Sequence, residues 1–415
     1  MRTVLVTGPG GAGRTTIAAA TARAAARRGG RVLLLSADPL DDLLGIPVGA
    51  APTGTGDGLW AARIDSGEHF RTELLALQER AATALDLLGA RRLAGEELTE
   101  LPGSEQFALL HAVRRAAEGD WDVLVVDLPP LRQALAVLAL PEQLRRYLRR
   151  LLPRERQAAR ALRPMMAQLA GVPMPAQWLY EMADRRDAEL AVVQSVVQDP
   201  GTTVRLVAEP GPAAAEALRT ARTGLALYGL RVDTLVPNRI LPGDAAGPWL
   251  ATLVAQQRKC LDEWYEEWAP EAPLYPVGHL GRDPQGPDDL AFLGAGAGSG
   301  PGSDEGEAGG AGLATGLADG LDEPGPAAVA ERWPVEDRLA EDNLLVWCVP
   351  LPGAVKSEVS LVRRDDELLL TVGPFRRIVP LPSALRRCTV TGAALTDGVL
   401  RVRFTPDPAL WPRGH

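Results

Sequence analysis

Lysine is almost missing from this chain. Only Lys259 and Lys356 occur in 415 residues, against 42 arginines. Arginine at an ordinary surface position therefore carries little information here. Cysteine is nearly as scarce, with Cys260, Cys348 and Cys388 far apart and no C-x-x-C pair. That excludes a disulfide framework and a thiolate metal cage as organising devices. The four histidines, His69, His111, His279 and His415, are equally scattered. There is no excess of positive charge either: the formal net charge is −9. An acidic balance argues against nucleic-acid binding. No apolar run approaches the ~20 residues of a membrane-spanning helix. The first apolar stretch is only a strand long, so no signal peptide is expected and a cytoplasmic location follows. What remains is a globular composition, 46% hydrophobic, long enough for two or three domains.

The most informative stretch is TVLVTGPGGAGRTT, Thr3 to Thr16. Val4-Leu5-Val6 reads as a buried strand, and Thr15-Thr16-Ile17-Ala18 opens an alanine-rich helix. A glycine-rich turn between strand and helix aims successive backbone N–H groups at one point. The helix N-terminus adds partial positive charge, which suits a phosphate. Gly8, Gly13 and Thr15 fit the phosphate-loop spacing G-x-x-x-x-G-K-[ST], with Arg14 at the lysine position. A dinucleotide-binding turn, with its acidic residue about 20 positions on, fits less well.

A second strand, Arg31 to Leu35, leads into Ser36-Ala37-Asp38-Pro39. Strand, helix and strand at this spacing predict a parallel, doubly wound sheet. Trp121 to Val126 is an apolar strand ending in Asp127. A carboxylate at the carboxyl end of such a strand faces the phosphate loop and can hold Mg²⁺. Residues 68 to 119 and 140 to 197 have helical patterns. In the second, Leu140, Leu144, Leu148 and Leu151 recur at helix spacing, and Met165 and Met166 follow. This apolar layer either packs on the sheet or leaves a groove for a partner helix. Further strands are expected at Thr203 to Val207, Val232 to Val236 and Leu274 to Val277, with a helix over Trp249 to Trp268. Twelve glycines between Gly294 and Gly325 mark a flexible linker. After Trp333 the pattern alternates with period two, and Asp397-Gly398 sits between two such runs as a hairpin turn.

Residues 9 to 16 resemble the deviant Walker A signature K-G-G-x-G-K-T-[TS]. They read Pro9-Gly10-Gly11-Ala12-Gly13-Arg14-Thr15-Thr16, so glycines and threonines match and both lysines are gone. With Ser36-Ala37-Asp38-Pro39, Asp127 with Pro130, and Val236-Pro237-Asn238-Arg239-Ile240-Leu241-Pro242, they are similar to the ArsA-like ATPases. That family includes arsenical-pump ATPases and the ATPase that targets tail-anchored membrane proteins. The tail, through Leu351-Pro352-Gly353, Leu381-Pro382 and Asp397-Gly398-Val399-Leu400, resembles the α-crystallin domain of small heat-shock proteins.

The resemblance implies an α/β fold with a doubly wound, mostly parallel sheet of the P-loop NTPase type, a helical subdomain and a small all-β sandwich. The expected boundaries are an ATPase domain over 1–293 with its helical subdomain at about 140–200, a linker over 294–332 and the sandwich over 333–408. It implies ATP and Mg²⁺ as cofactors. Gly8, Gly10, Gly11, Ala12, Gly13, Arg14, Thr15 and Thr16 would cradle the phosphates, and Asn238 would contact the base. Thr15 and Asp127 would hold the metal, and Asp38 with Arg14 would occupy the catalytic positions. A homodimer, or a heterodimer with an ArsA-like paralogue, is implied, as is a client that is a hydrophobic helix or membrane protein. Pro9, Arg14, a shortened first switch after Asp38 and a second switch without its histidine imply that hydrolysis is weak or lost. Without ligand cysteines, metalloid binding is not expected.

Overall fold

The computed structural model describes residues 1–87, 89–152, 175–243, 247–295, 316–319, 321 and 333–411. Its core is a seven-stranded sheet built by repeated strand–helix crossovers. In chain order the strands are β1 (Arg2–Thr7), β2 (Val32–Ser36), β3 (Thr53–Gly54), β4 (Leu59–Arg63), β5 (Val123–Asp127), β6 (Thr202–Ala208) and β7 (Val232–Pro237). Their spatial order is β3-β4-β2-β5-β1-β6-β7. Every pairing is parallel except β3 with β4. The central strands are buried on both faces, as aliphatic runs such as Val4-Leu5-Val6 and Val123-Leu124-Val125-Val126 require.

Helix α1 (Arg14–Arg27) lies on one face. Its Ala18, Ala19, Ala20, Ala22, Ala25 and Ala26 are buried, and their small side chains let the helix pack close to the sheet. A short α2 (Asp41–Leu44) follows β2, and α3 (Ser66–Arg80), α4 (Ala82–Leu87) and α5 (Ser104–Ala117) fill the expected helical region. Asp65 caps α3 by accepting from the Glu68 N–H at 2.8 Å. After β5 come α6 (Leu131–Leu151) and α7 (Pro175–Val197). The expected break at Gly171 to Pro175, together with Met165 and Met166, lies in the range 153–174 outside the described residues, apart from Pro175 itself. Helix α8 (Pro212–Tyr228) joins β6 to β7, and α9 (Pro248–Trp268) buries Trp264 and Trp268.

Two expectations need correction. Leu274 to Val277 is not a strand; only Leu274 and Gly278 form isolated parallel bridges, to Leu235 and Ile240. The run does bond to β7, with the Leu235 N–H donating to Pro273 O and the Tyr275 and Val277 N–H groups donating to Leu235 O and Pro237 O; Pro237 has no N–H for the next bond, so the ladder stops at single bridges. The glycine-rich stretch is also not uniformly without structure. Its first residues close α10 (Gly286–Ala295), which packs on α1. Further on, Leu317, Ala318 and Leu321 are buried in the same cluster as the α1 alanines. Arg28 donates to the Ala318 carbonyl at 2.7 Å and to Asp319 at 2.5 Å, pinning the segment to the end of α1.

The tail forms two antiparallel sheets. One has the order β10-β11-β12, with β10 at Val359–Arg364, β11 at Glu367–Val372 and β12 at Phe375–Pro380. The other has the order β13-β14-β9-β8, with β8 at Val335–Arg338, β9 at Leu344–Pro350, β13 at Cys388–Thr396 and β14 at Val399–Pro406. Strand β8 was not visible in the pattern, since Glu336-Asp337-Arg338 is charged; it is an edge strand on which charge is tolerated. Between them lies one short helix, α11 (Leu339–Asp342). Asp397 and Gly398 both have positive φ, 51° and 70°, as a two-residue hairpin turn demands. Leu400, Val402 and Phe404 are buried, and the intervening arginines are not. The tail docks on α6 and α8. Phe375 enters where Gly224 of α8 leaves room, for a Cβ there would overlap the Phe375 ring and Leu135. Beside it, Arg146 of α6 grips Glu367 through two hydrogen bonds of 2.9 and 2.7 Å.

Candidate functional site

The carboxyl ends of β1, β2 and β5 converge on the glycine loop. Gly8 ends β1 so close to β6 that a Cβ would overlap the Val207 carbonyl. Gly11 and Gly13 have φ of +79° and +86°, conformations that favour glycine. Gly10 and Gly11 are exposed with open space around them, which leaves their backbone free to face a ligand. Ala12 is buried behind them, and its N–H donates to Pro9 O at 3.4 Å. Gly13 is the N-cap of α1, so Arg14, Thr15 and Thr16 form the first turn.

Four of the side chains picked from the pattern meet there. The Thr15 hydroxyl lies 2.7 Å from Asp127 Oδ2 and 2.9 Å from Asp38 Oδ2. Ser36 donates to the same Asp127 oxygen at 2.8 Å and accepts from the Asp38 N–H at 3.0 Å. Ser36 had not been singled out as a site residue. Its place in the Ser36-Ala37-Asp38-Pro39 quartet was the available signal, because a serine at the end of a buried strand needs a partner. The fourth, Arg14, donates from Nη1 to the Leu128 carbonyl, just beyond Asp127, and lines the adjoining cavity. Thr7 ties the same segment by donating to Pro129 O at 2.8 Å. Asn238 is buried against the loop, where its amide donates to Ala12 O at 2.8 Å. A cavity of about 500 Å³ opens beside Arg14, Asp38 and Asp127 and continues to Arg63, Ser66 and Gln133.

Burial pushes the Asp127 carboxyl above its ordinary range, against the opposing pull of the Thr15 and Ser36 hydroxyls and of Arg14. Its second oxygen, Oδ1, is buried with no hydrogen-bond partner among the described residues. An unpartnered carboxylate oxygen beside a threonine hydroxyl and a second aspartate is the hard-oxygen donor set that Mg²⁺ takes. The residues present therefore fit that ion. Among the described residues no three His, Cys, Asp or Glu side chains group as a metal cage. The three cysteines are buried and free.

A second cavity, about 520 Å³ and largely apolar, lies in the helical layer. Leu144 and Leu148 of α6, Leu190 and Val193 of α7, and Phe107 and Leu110 of α5 line it. Phe107 and Leu101 at its rim are 51% and 58% exposed. His69 and His111 stack at its edge with ring centres 4.5 Å apart. Burial lowers the pKa of both, so they stay neutral to lower pH than free imidazole. No helix among the described residues is long and apolar enough to cross a membrane.

Comparison with known proteins agrees with this geometry. Residues 1–277 match the family model described as anion-transporting ATPase, and residues 342–404 match the HSP20-like domain found in ArsA. The chain is 58% identical over 422 residues to an uncharacterized protein of Streptomyces coelicolor, covering all of both. It is 34% identical to a protein of Mycobacterium tuberculosis, over 99% of this chain and 97% of that one. It is 25% identical to a protein of Aquifex aeolicus named as arsenical pump-driving ATPase 1, over 93% and 95%.

Proposed function

Since the chain belongs to the ArsA-type anion-transporting ATPase family, we propose that it binds ATP with Mg²⁺ at a degenerate site and hydrolyses it weakly or not at all. The observation that carries this reading is the position of Arg14. Its guanidinium bonds to Leu128 O, while Thr15, Asp38 and Asp127 stay grouped for a metal. Phosphoryl transfer is catalysed mainly by positioning and charge. A lysine at this place is a compact charge on a thin stem, whereas arginine's wide planar fork suits other partners. Here the fork is spent on a carbonyl. Pro9, at the other family lysine, brings no charge at all. Bound Mg²⁺ would supply charge neutralisation at the phosphate oxygens. Thr15 and Asp127 are assigned to hold it, Asp38 to orient water, and Gly8, Gly10, Gly11, Ala12, Gly13, Arg14, Thr15 and Thr16 to cradle phosphate. Asn238 fixes the loop through Ala12 and is also assigned the base edge. The ATPase unit is proposed to span 1–293, the linker 294–332 and the sandwich 333–408.

The apolar cavity in the helical layer, with Phe107 and Leu101 exposed at its rim, supports the handling of a hydrophobic helix or other partner protein. A second reading is a non-catalytic subunit that pairs with an intact paralogue of the family. Pro9, which leaves no lysine to reach a partner's nucleotide, favours it. Steady-state turnover of the purified chain is expected below about 10⁻² s⁻¹, under the range of working kinases. Turnover near 1 s⁻¹, in the kinase range, abolished by Asp38→Asn, would show instead an active ATPase.

A further inference from the structure

We propose that the cleft between α6 and the facing side of the β10–β12 sheet is a binding site for a small polyphosphorylated anion. The site is separate from the glycine loop and independent of the reading above. Alternation along the strands sets it up. Leu368, Leu370 and Val372 point into the sandwich core and are buried, so Glu367, Leu369 and Thr371 face the other way. Register then puts Arg364 opposite Glu367, Ile378 opposite Leu369 and Arg376 opposite Thr371, all on that same face. Helix α6 brings Arg146 and Arg150 up to it. The result is a cavity of about 380 Å³ with four arginines on its walls, Gln143 and Tyr147 beside them, and Leu369 with Ile378 as an apolar floor.

The charges do not cancel. Glu367 is committed to Arg146 by a two-point pair and lies 3.6 Å from Arg150. Asp365 sits 3.7 Å from Arg150 at the rim. The Arg146 and Arg150 guanidiniums hold the Glu367 carboxyl below its usual range, with Arg146 leading, so this pair is already satisfied. Arg364 and Arg376 have no carboxylate within salt-bridge distance among the described residues, yet they open onto the same cavity. Two guanidiniums without a carboxylate partner among the described residues line one concave space with two more, and arginine's planar fork suits phosphate oxygens. Tyr147 and Gln143 can add neutral hydrogen bonds. The volume exceeds a single phosphate and suits two or more phosphoryl groups. The Leu369–Ile378 floor has room for an apolar or ring portion, as on a nucleoside diphosphate. Inorganic polyphosphate offers the same anion without it.

The test is calorimetric titration of the full chain with inorganic pyrophosphate, and in parallel with ADP. The proteins are wild type, Arg364→Glu with Arg376→Glu, and Arg364→Lys with Arg376→Lys. Both positions are exposed, and thermal unfolding checks that each variant is folded. The expected result is that the glutamate variant binds one equivalent of pyrophosphate fewer than wild type, or binds it at least about tenfold more weakly at that site. The lysine variant keeps the equivalent. Whether the glycine loop also binds pyrophosphate changes the total in all three proteins but not this difference. A larger ADP than pyrophosphate affinity at the lost site identifies the nucleotide; equal affinities identify the bare polyphosphate. An unchanged number of equivalents and unchanged affinity in the glutamate variant would overturn the proposal, as would a loss shared equally by the lysine variant.

Discussion

Replacing Pro9 and Arg14 together by lysine is expected to raise ATP turnover by on the order of 10²-fold to 10³-fold, part of the roughly 10³ to 10⁵ that a transition-state cation can contribute. The reason lies in what Arg14 does now. Its guanidinium reaches past the loop to Leu128 O, in the segment that follows Asp127. A lysine ammonium on the same stem position has no fork to span that distance and is left to the phosphates. It also removes one tie from the Leu128–Pro130 segment, which stays held by Thr7 at Pro129 O and by the Leu128 N–H at Val6 O. Pro9 is half-buried at the loop's outer edge, and its one recorded hydrogen bond uses its carbonyl, so lysine there keeps that bond. Recovery is partial because Asp38-Pro39 runs directly into Leu40-Asp41-Asp42, the shortened first switch, and the second switch after Asp127 is without its histidine. A double variant no faster than wild type would move the blame from the lysines to these switches.

Arg205→Ala is expected to destabilise the chain by about 3–5 kcal/mol, the range for removing one partner of a buried ion pair. Arg205 lies on β6, next to the edge strand β7, and is 1% exposed. It binds Asp233 of β7 through Nε at 3.3 Å and Nη2 at 3.0 Å, Thr21 of α1 at 3.0 Å and the Leu317 carbonyl at 2.5 Å. One side chain thus joins the sheet, the helix that begins at the glycine loop and the anchored part of the glycine-rich stretch. Truncating it leaves Asp233, which is 11% exposed, without its ion-pair partner and with the Thr203 hydroxyl at 3.2 Å as its remaining side-chain hydrogen bond among the described residues. The melting temperature should fall by roughly 6–20 °C at the sensitivity typical of larger domains. Arg205→Met combined with Asp233→Leu removes both charges and should recover most of the loss. Denaturant unfolding measures both; a loss under about 1 kcal/mol in the single variant would mean the pair is structurally idle.

These two cases show where the sequence was readable. The glycine loop, the Ser36 quartet and Asp127 were legible because each depends on local chemistry: backbone conformation at Gly11 and Gly13, or one carboxylate at one strand end. The sheet was legible because its strands are continuous aliphatic runs. The Asp397-Gly398 hairpin was legible because few residues accept two positive φ values in succession. Arg205 was not legible. It is one arginine among 42 in the chain, and nothing local says that Thr21, Asp233 and Leu317 will surround it. Packing of Leu317 and Leu321 was hidden for the same reason, since short apolar patches among glycines read as linker until the α1 surface that receives them is in place. Leu274 to Val277 misled in the other direction: its apolar residues promised a strand, and Pro237 on the facing strand, with no N–H to give, broke the ladder into single bridges. The arginine cleft needs both the tail and α6, which lie about 220 residues apart in sequence, so no single stretch could announce it.

Asp127 carries the functional reading most heavily. Its buried, unpartnered Oδ1 is held at a cost that a divalent cation would relieve. The measurement that tests the central claim most directly is therefore calorimetric titration of ATP into the wild-type chain and into Asp127→Asn, each with and without Mg²⁺. Wild type should bind ATP, and bind it more tightly with Mg²⁺, while no phosphate is released on the timescale of the titration. Asp127→Asn should lose the Mg²⁺ dependence and remain folded. No ATP binding by wild type, with or without Mg²⁺, would contradict the account and leave the loop as a structural turn.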